Sequence, residues 1–238
     1  MNIPFYLPFP RTVLSLLLTF SLQFGLSSKA ISQPQTPTPE QDFLPLLREI
    51  ISEAYPELAG ITLTTGSFSE PDSFFQSNFE LLSLFSEHPI YRIEINPQLW
   101  QNPPPPLALK AVLAHELAHT LDYHQGKIPG ILHILNQLRL YESLRSYEHH
   151  TDLQAIFRGF GPGLKAYREW LYLRLTAQAI ERKKAIYYSP EEIEALMLAL
   201  SRSEKQGKKE ALMRYWRENV PLNLEAIQQD LKQFDLPI

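Results

Sequence analysis

The chain has 238 residues, 44% of them hydrophobic, and a formal net charge of −4, which suits one globular domain with core enough to fold alone. It has no cysteine, so disulfides, thiolate metal sites and cysteine nucleophiles are excluded, and any metal must be held by histidine and carboxylates. The charge balance lacks the basic excess of a nucleic-acid binder, so no nucleic-acid partner is expected.

The first 30 residues read as a secretory signal peptide. Arg11 precedes the apolar run Val13 to Leu26, and Ser28 and Ala30 stand at −3 and −1 of a cleavage after Ala30. The run is shorter than the ~20 apolar residues that span a bilayer, so a secreted, periplasmic or envelope location is expected, with an uncleaved membrane anchor as the alternative. Residues 31–41, rich in Pro, Gln and Thr, read as an extended linker. Residues 42–238 then form the folded domain.

Phe43, Leu46, Leu47, Ile50 and Ile51 recur at helical spacing, which predicts a helix over 42–55 with Asp42 as a possible cap and Pro56 and Gly60 as its end. Ile61 to Thr65 has strand composition, and Gly66 to Phe75 reads as a loop. The segment 79–85 is ambiguous. Pro89 to Asn96 is a clearer strand, with Tyr91, Ile93 and Ile95 on an apolar side and Arg92 and Glu94 on a polar one, as in an edge strand or half-covered sheet. The run NPPPP, Asn102 to Pro106, is a stiff stop, and a helix from about Pro106 to Tyr123 should follow it. Gly126, Pro129 and Gly130 interrupt that pattern. Helices are then expected over 131–157, 163–185, 190–203, 208–219 and 223–234, and SPEE at Ser189 to Glu192 is a capping box. The fold class is therefore α+β and predominantly helical, with a small sheet ahead of the helices and a C-terminal helical part over about 163–238.

The helix behind the prolines contains HELAH, His115 to His119. Residues four apart share a helix face, so both imidazoles can turn to one ion. Glu116 then points to the side where a water beside that ion would sit. This is the physical logic of H-E-x-x-H, two neutral imidazoles for Zn²⁺ and a carboxylate to take a proton. The flanking Val112, Leu113, Ala114, Leu117, Ala118 and Leu121 are apolar, and buried His and Glu are costly without partners. The extension with Gly three residues and a third ligand His six residues beyond His119 is missing, since Asp122 and Gln125 occupy those positions.

The better third ligand lies in YESLRSYEHHTDLQAIF, Tyr141 to Phe157. A stripe of Tyr141, Leu144, Glu148, Thr151, Asp152 and Ala155 should face the core, yet it carries two carboxylates one turn apart. Glu148 can complete the ligand set and Asp152 can accept the remaining ring N–H of a ligating histidine. His149 and His150 project elsewhere and read as surface or cleft-rim residues. His124, His133, Tyr187 and Tyr188 are weaker candidates near the site. RGFGPG, Arg158 to Gly163, reads as a turn between helices.

H-E-x-x-H followed by E-x-x-x-D on a second helix resembles the gluzincin metallopeptidases, and HELAH with EHHTD at Glu148 to Asp152 carries the resemblance. It implies a zincin-like fold in which His115, His119 and Glu148 bind zinc, Glu116 is the general base and Asp152 supports a ligand from behind. It also implies that the strand Tyr91, Arg92, Ile93, Glu94, Ile95 is the sheet edge along which a peptide substrate aligns. The expected function is zinc-dependent peptide-bond hydrolysis on a peptide or protein substrate. A non-catalytic zinc-binding or partner-binding envelope protein on the same scaffold is the alternative.

Overall fold

The computed structural model describes residues 43–70, 72–137 and 141–237. The signal-peptide and linker expectations for 1–41, and the cap at Asp42, lie outside the described residues. Among those residues no helix is long and apolar enough to cross a membrane.

Helix α1, Phe43–Ala54, buries Phe43, Leu47, Ile50 and Ile51 on one face, as its periodicity predicts. Three strands follow: β1, Thr62–Ser67, β2, Phe75–Phe79, and β3, Ile90–Ile95. They form one sheet in the order β1-β3-β2, with β3 parallel to β1 and antiparallel to β2. The first strand thus runs two residues into the expected loop, and β2 takes the residues just before and into the ambiguous segment.

The edge-strand expectation does not hold. The strand of Tyr91, Arg92, Ile93, Glu94 and Ile95 is the centre of the sheet and not its edge, since β1 and β2 pair with it on either side. Its backbone groups are therefore spent within the sheet. Its polar face misled because Gln76 and Asn78 of β2 reach across to the Glu94 carboxylate, so a polar pair lies on top of a central strand.

Helix α2, Pro106–Gln137, begins behind the prolines as expected and is kinked where Gly126, Pro129 and Gly130 predict an interruption. Its path bends at Lys127, whose φ of 49° and ψ of −159° lie outside helical values, next to Pro129. Ala108, Val112, Leu113, Ala114, Leu117, Ala118 and Leu121 of α2 are buried against α1, the sheet and the following helices. Tyr55 donates a 2.7 Å hydrogen bond to the Ala114 carbonyl, and the hydroxyls of Ser77 and Thr120 lie 2.9 Å apart, tying α2 to β2.

Helix α3, Tyr141–Ala155, is followed by a π-helical turn, Ile156–Phe160, in which Gly159 takes a φ of 94°. That turn interrupts the helical path ahead of α4, Gly161–Tyr172. The single helix expected over 163–185 is two, because Thr176 caps a new helix α5, Ala177–Lys184, through a hydrogen bond from the Ala179 amide. Helices α6, Pro190–Lys205, α7, Lys209–Glu218, and α8, Leu224–Gln233, complete the chain, and Ser189 and Glu192 form the expected capping box. Ile193, Leu196, Leu212, Trp216, Ile227 and Leu231 build a second apolar cluster that reaches Ala111, Leu153 and Leu164. Helix α2 therefore lies between two cores and is solvent-poor along its middle, where His115 and His119 sit.

Candidate metal centre

His115, Glu116 and His119 project from the buried middle of α2, and Glu148 and Asp152 from the buried face of α3. All five are less than a tenth exposed. Glu148 Oε2 lies 3.4 Å from His115 Nε2 and 3.3 Å from His119 Nε2. One nitrogen from each ring and one Glu148 oxygen lie within 4.8 Å of one another, close enough to share one ion. The 28 residues between His119 and Glu148 include the rest of α2 and the start of α3, and the packing of these two helices brings Glu148 and Asp152 onto the histidines.

The far side of each imidazole is held. Asp152 Oδ1 lies 2.8 Å from His115 Nδ1. Asp152 itself is fully buried and receives Arg168 Nη2 of α4 at 3.0 and 3.2 Å, and the Tyr188 amide at 3.3 Å. His119 Nδ1 lies 3.1 Å from the Tyr147 hydroxyl and 3.5 Å from that of Thr151. These contacts set Nε2 of both rings toward Glu148.

Electrostatics follow from burial and charge. Burial works against a charged His115, but the Asp152 carboxylate, with Glu148 and Glu116, outweighs it and raises the ring to about 10. His119 is likewise opposed by burial and raised by Glu148. Burial would raise Glu148, yet the two imidazoles hold it far below the usual carboxylate range. Asp152 is lowered in spite of burial because Arg168 and His115 sit beside it. Burial raises Glu116, and the neighbouring imidazoles only partly offset this.

A divalent cation fits this set. Glu116, Glu148 and Asp152 are three buried carboxylates, and Arg168 is the one buried cationic side chain among the described residues. With neutral imidazoles the pocket carries an excess of negative charge that burial makes costly. Glu148 Oε2 is also buried without a hydrogen-bond donor. An ion held by His115, His119 and Glu148 answers both features, and a His₂Glu donor set is of the kind zinc takes at reactive sites.

Other residues fall differently from expectation. His149 is fully buried, stacked on Tyr188 at 3.8 Å between ring centroids, and is not at the surface or cleft rim. Tyr188 donates its hydroxyl to the Pro221 carbonyl and is a packing residue. His124 lies 3.3 Å from the Tyr91 hydroxyl. Tyr187 stays near the centre, its ring centroid 6.1 Å from that of His115. Arg168 and Tyr147 were not singled out from the sequence. Arg168 had a trace there, since it lies one turn beyond Leu164 on the face of α4 that buries Leu164, Tyr167 and Leu171, where an unpaired arginine would be costly.

Comparison with protein families, with characterised proteins and with solved structures finds no match to this chain. What the centre can do must come from its own residues.

Proposed function

We propose that this protein is a zinc-dependent peptide hydrolase of the gluzincin kind. The observation that carries the reading is the placement of a base beside a ligand set. Glu116 neighbours His115 on α2 and is buried; its carbonyl accepts from the Thr120 hydroxyl, but its carboxylate makes no hydrogen bond or ion pair among the described residues. A structural metal site has no use for such a group, whereas hydrolysis needs one.

His115, His119 and Glu148 would hold the zinc, which when bound supplies Lewis acidity and makes a neighbouring water easier to deprotonate. Glu116 takes the proton from the attacking water and delivers it to the leaving amine. Asp152, anchored by Arg168, keeps the His115 Nδ1 proton in place, and Tyr147 does the same for His119. An extended peptide would pair with β2, the edge strand tied to α2 through Ser77 and Thr120.

Glu116→Gln tests this directly. Metal analysis should find zinc content unchanged, while cleavage of a mixed peptide library drops by at least about a thousandfold. Full activity in that variant would refute the role of Glu116. Zinc binding with no turnover by the unaltered protein would favour the non-catalytic zinc-binding module.

A further inference from the structure

The neighbourhood of the centre carries a cation that the fold leaves unused. Lys183 lies in the last turn of α5, and Tyr187 follows one turn later, its amide donating to the Lys183 carbonyl at 2.8 Å. Lys183 Nζ lies 5.4 Å from the Tyr187 ring centroid, and that ring lies 6.1 Å from His115. Nearby cations have partners. Arg168 holds Asp152, Arg182 meets Asp72 at 2.8 Å, Lys184 lies 3.7 Å from Glu181, and Arg174 donates to the Trp170 carbonyl at 2.7 Å. The Lys183 ammonium has neither a hydrogen bond nor an ion pair among the described residues, although its side chain is half-buried. Burial and Arg168 lower its pKa to about 8, while Glu148, Asp72 and Glu116 partly restore it.

A half-buried ammonium resting on an aromatic face gains some cation–π attraction, which does not replace a charged partner. An incoming anion would supply one, and Lys183 is tied to the centre through Tyr187, whose ring packs between its ammonium and the His115 ring. We propose that Lys183 anchors a carboxylate of a peptide bound at the metal centre, making this a specificity residue for substrates with a free C-terminus or an acidic side chain near the scissile bond. The peptide nature of the ligand rests on the hydrolase reading above, but the carboxylate preference does not depend on turnover.

The test is calorimetric binding at pH 7 to zinc-loaded protein carrying Glu116→Gln, so that no ligand is consumed. Three probes are used: N-acetyl-Ala-Ala-Ala as the free acid, the same peptide as its amide, and N-acetyl-Ala-Asp-Ala amide. At least one carboxylate-bearing probe should bind about tenfold or more tightly than the neutral amide. The two acidic probes distinguish a C-terminal from a side-chain carboxylate. Adding Lys183→Met should erase the preference and leave neutral-amide binding unchanged, and Lys183→Arg should restore most of it. Equal binding of all three probes, no binding of any, a preference that survives Lys183→Met, or an equal loss for all three in that variant would each overturn the inference. Turnover is measured separately on the unaltered protein. A carboxylate preference without turnover would sink the hydrolase reading alone, and turnover without the preference would sink this inference alone.

Discussion

His115 Nδ1 lies 2.8 Å from Asp152 Oδ1, and the same carboxylate is gripped by Arg168 from a third helix. His115 on α2 is thus oriented by α3 and α4 together. Asp152→Asn should keep the side chain's size and remove its charge. Zinc affinity, measured by competition with a chelator, should fall by about 10–100-fold. Unchanged affinity would mean that packing alone orients the ring. Arg168→Met should act more broadly, because it leaves Asp152 buried without its cation, and a stability loss of about 3–5 kcal/mol in urea unfolding is expected.

His119 is held differently. Its Nδ1 meets the neutral Tyr147 hydroxyl at 3.1 Å, with Thr151 Oγ1 at 3.5 Å. A phenol polarises an imidazole less than a carboxylate does, and the threonine can take over part of the task. Tyr147→Phe should therefore weaken zinc by severalfold, less than Asp152→Asn does. A larger loss than that of Asp152→Asn in the same chelator competition would reverse this ranking.

Much of the centre was legible because its residues conflict with their surroundings. HELAH stands among Val112, Leu113, Leu117 and Leu121, and Glu148 and Asp152 stand on a stripe that ends in Ala155. Helical spacing alone then brings each set to one face, and burial of those faces follows from the apolar neighbours. The sheet was less legible. Order among strands depends on which edges meet, and FQSNF of β2 has little β-branched character to mark it as a strand. His149 was misread because its own helix says only that it projects away from Glu148. Its burial comes from Tyr188, a residue 39 positions on, which no local pattern on α3 encodes. Tyr147 and Arg168 are hidden for the same reason, since each acts on a residue of another helix.

Proton linkage should have opposite signs with and without metal. Without it, His115 rises from the ordinary 6.5 to about 10 in the folded state. Its contribution to stability is then fully present below pH 6.5 and is lost as the pH rises through about 10. Zinc requires neutral imidazoles, so binding must expel these protons and the affinity must weaken as the pH falls. Urea unfolding of the metal-free protein should show stability declining from pH 6.5 towards 10, while chelator competition shows zinc affinity climbing over pH 6 to 8. Zinc affinity that is flat across that range would mean the imidazoles are not the ligands.

Gly163 lets α4 approach α2 closely enough for Arg168 to reach the centre. A β-carbon there would stand 2.4 Å from the Leu107 carbonyl oxygen and 2.7 Å from the Ala111 β-carbon. Both obstacles belong to α2 and one is backbone, so rotamer changes cannot relieve them, and α4 must move outward. Gly163→Ala raises intrinsic helix propensity and on an unpacked helix would stabilise. Here it should instead cost about 1–3 kcal/mol in urea unfolding. Because Arg168 lies five residues along the same helix, the outward shift should also loosen its hold on Asp152 and lower zinc affinity. Loss of stability with zinc affinity intact would show that α4 can move without disturbing the Arg168–Asp152–His115 chain.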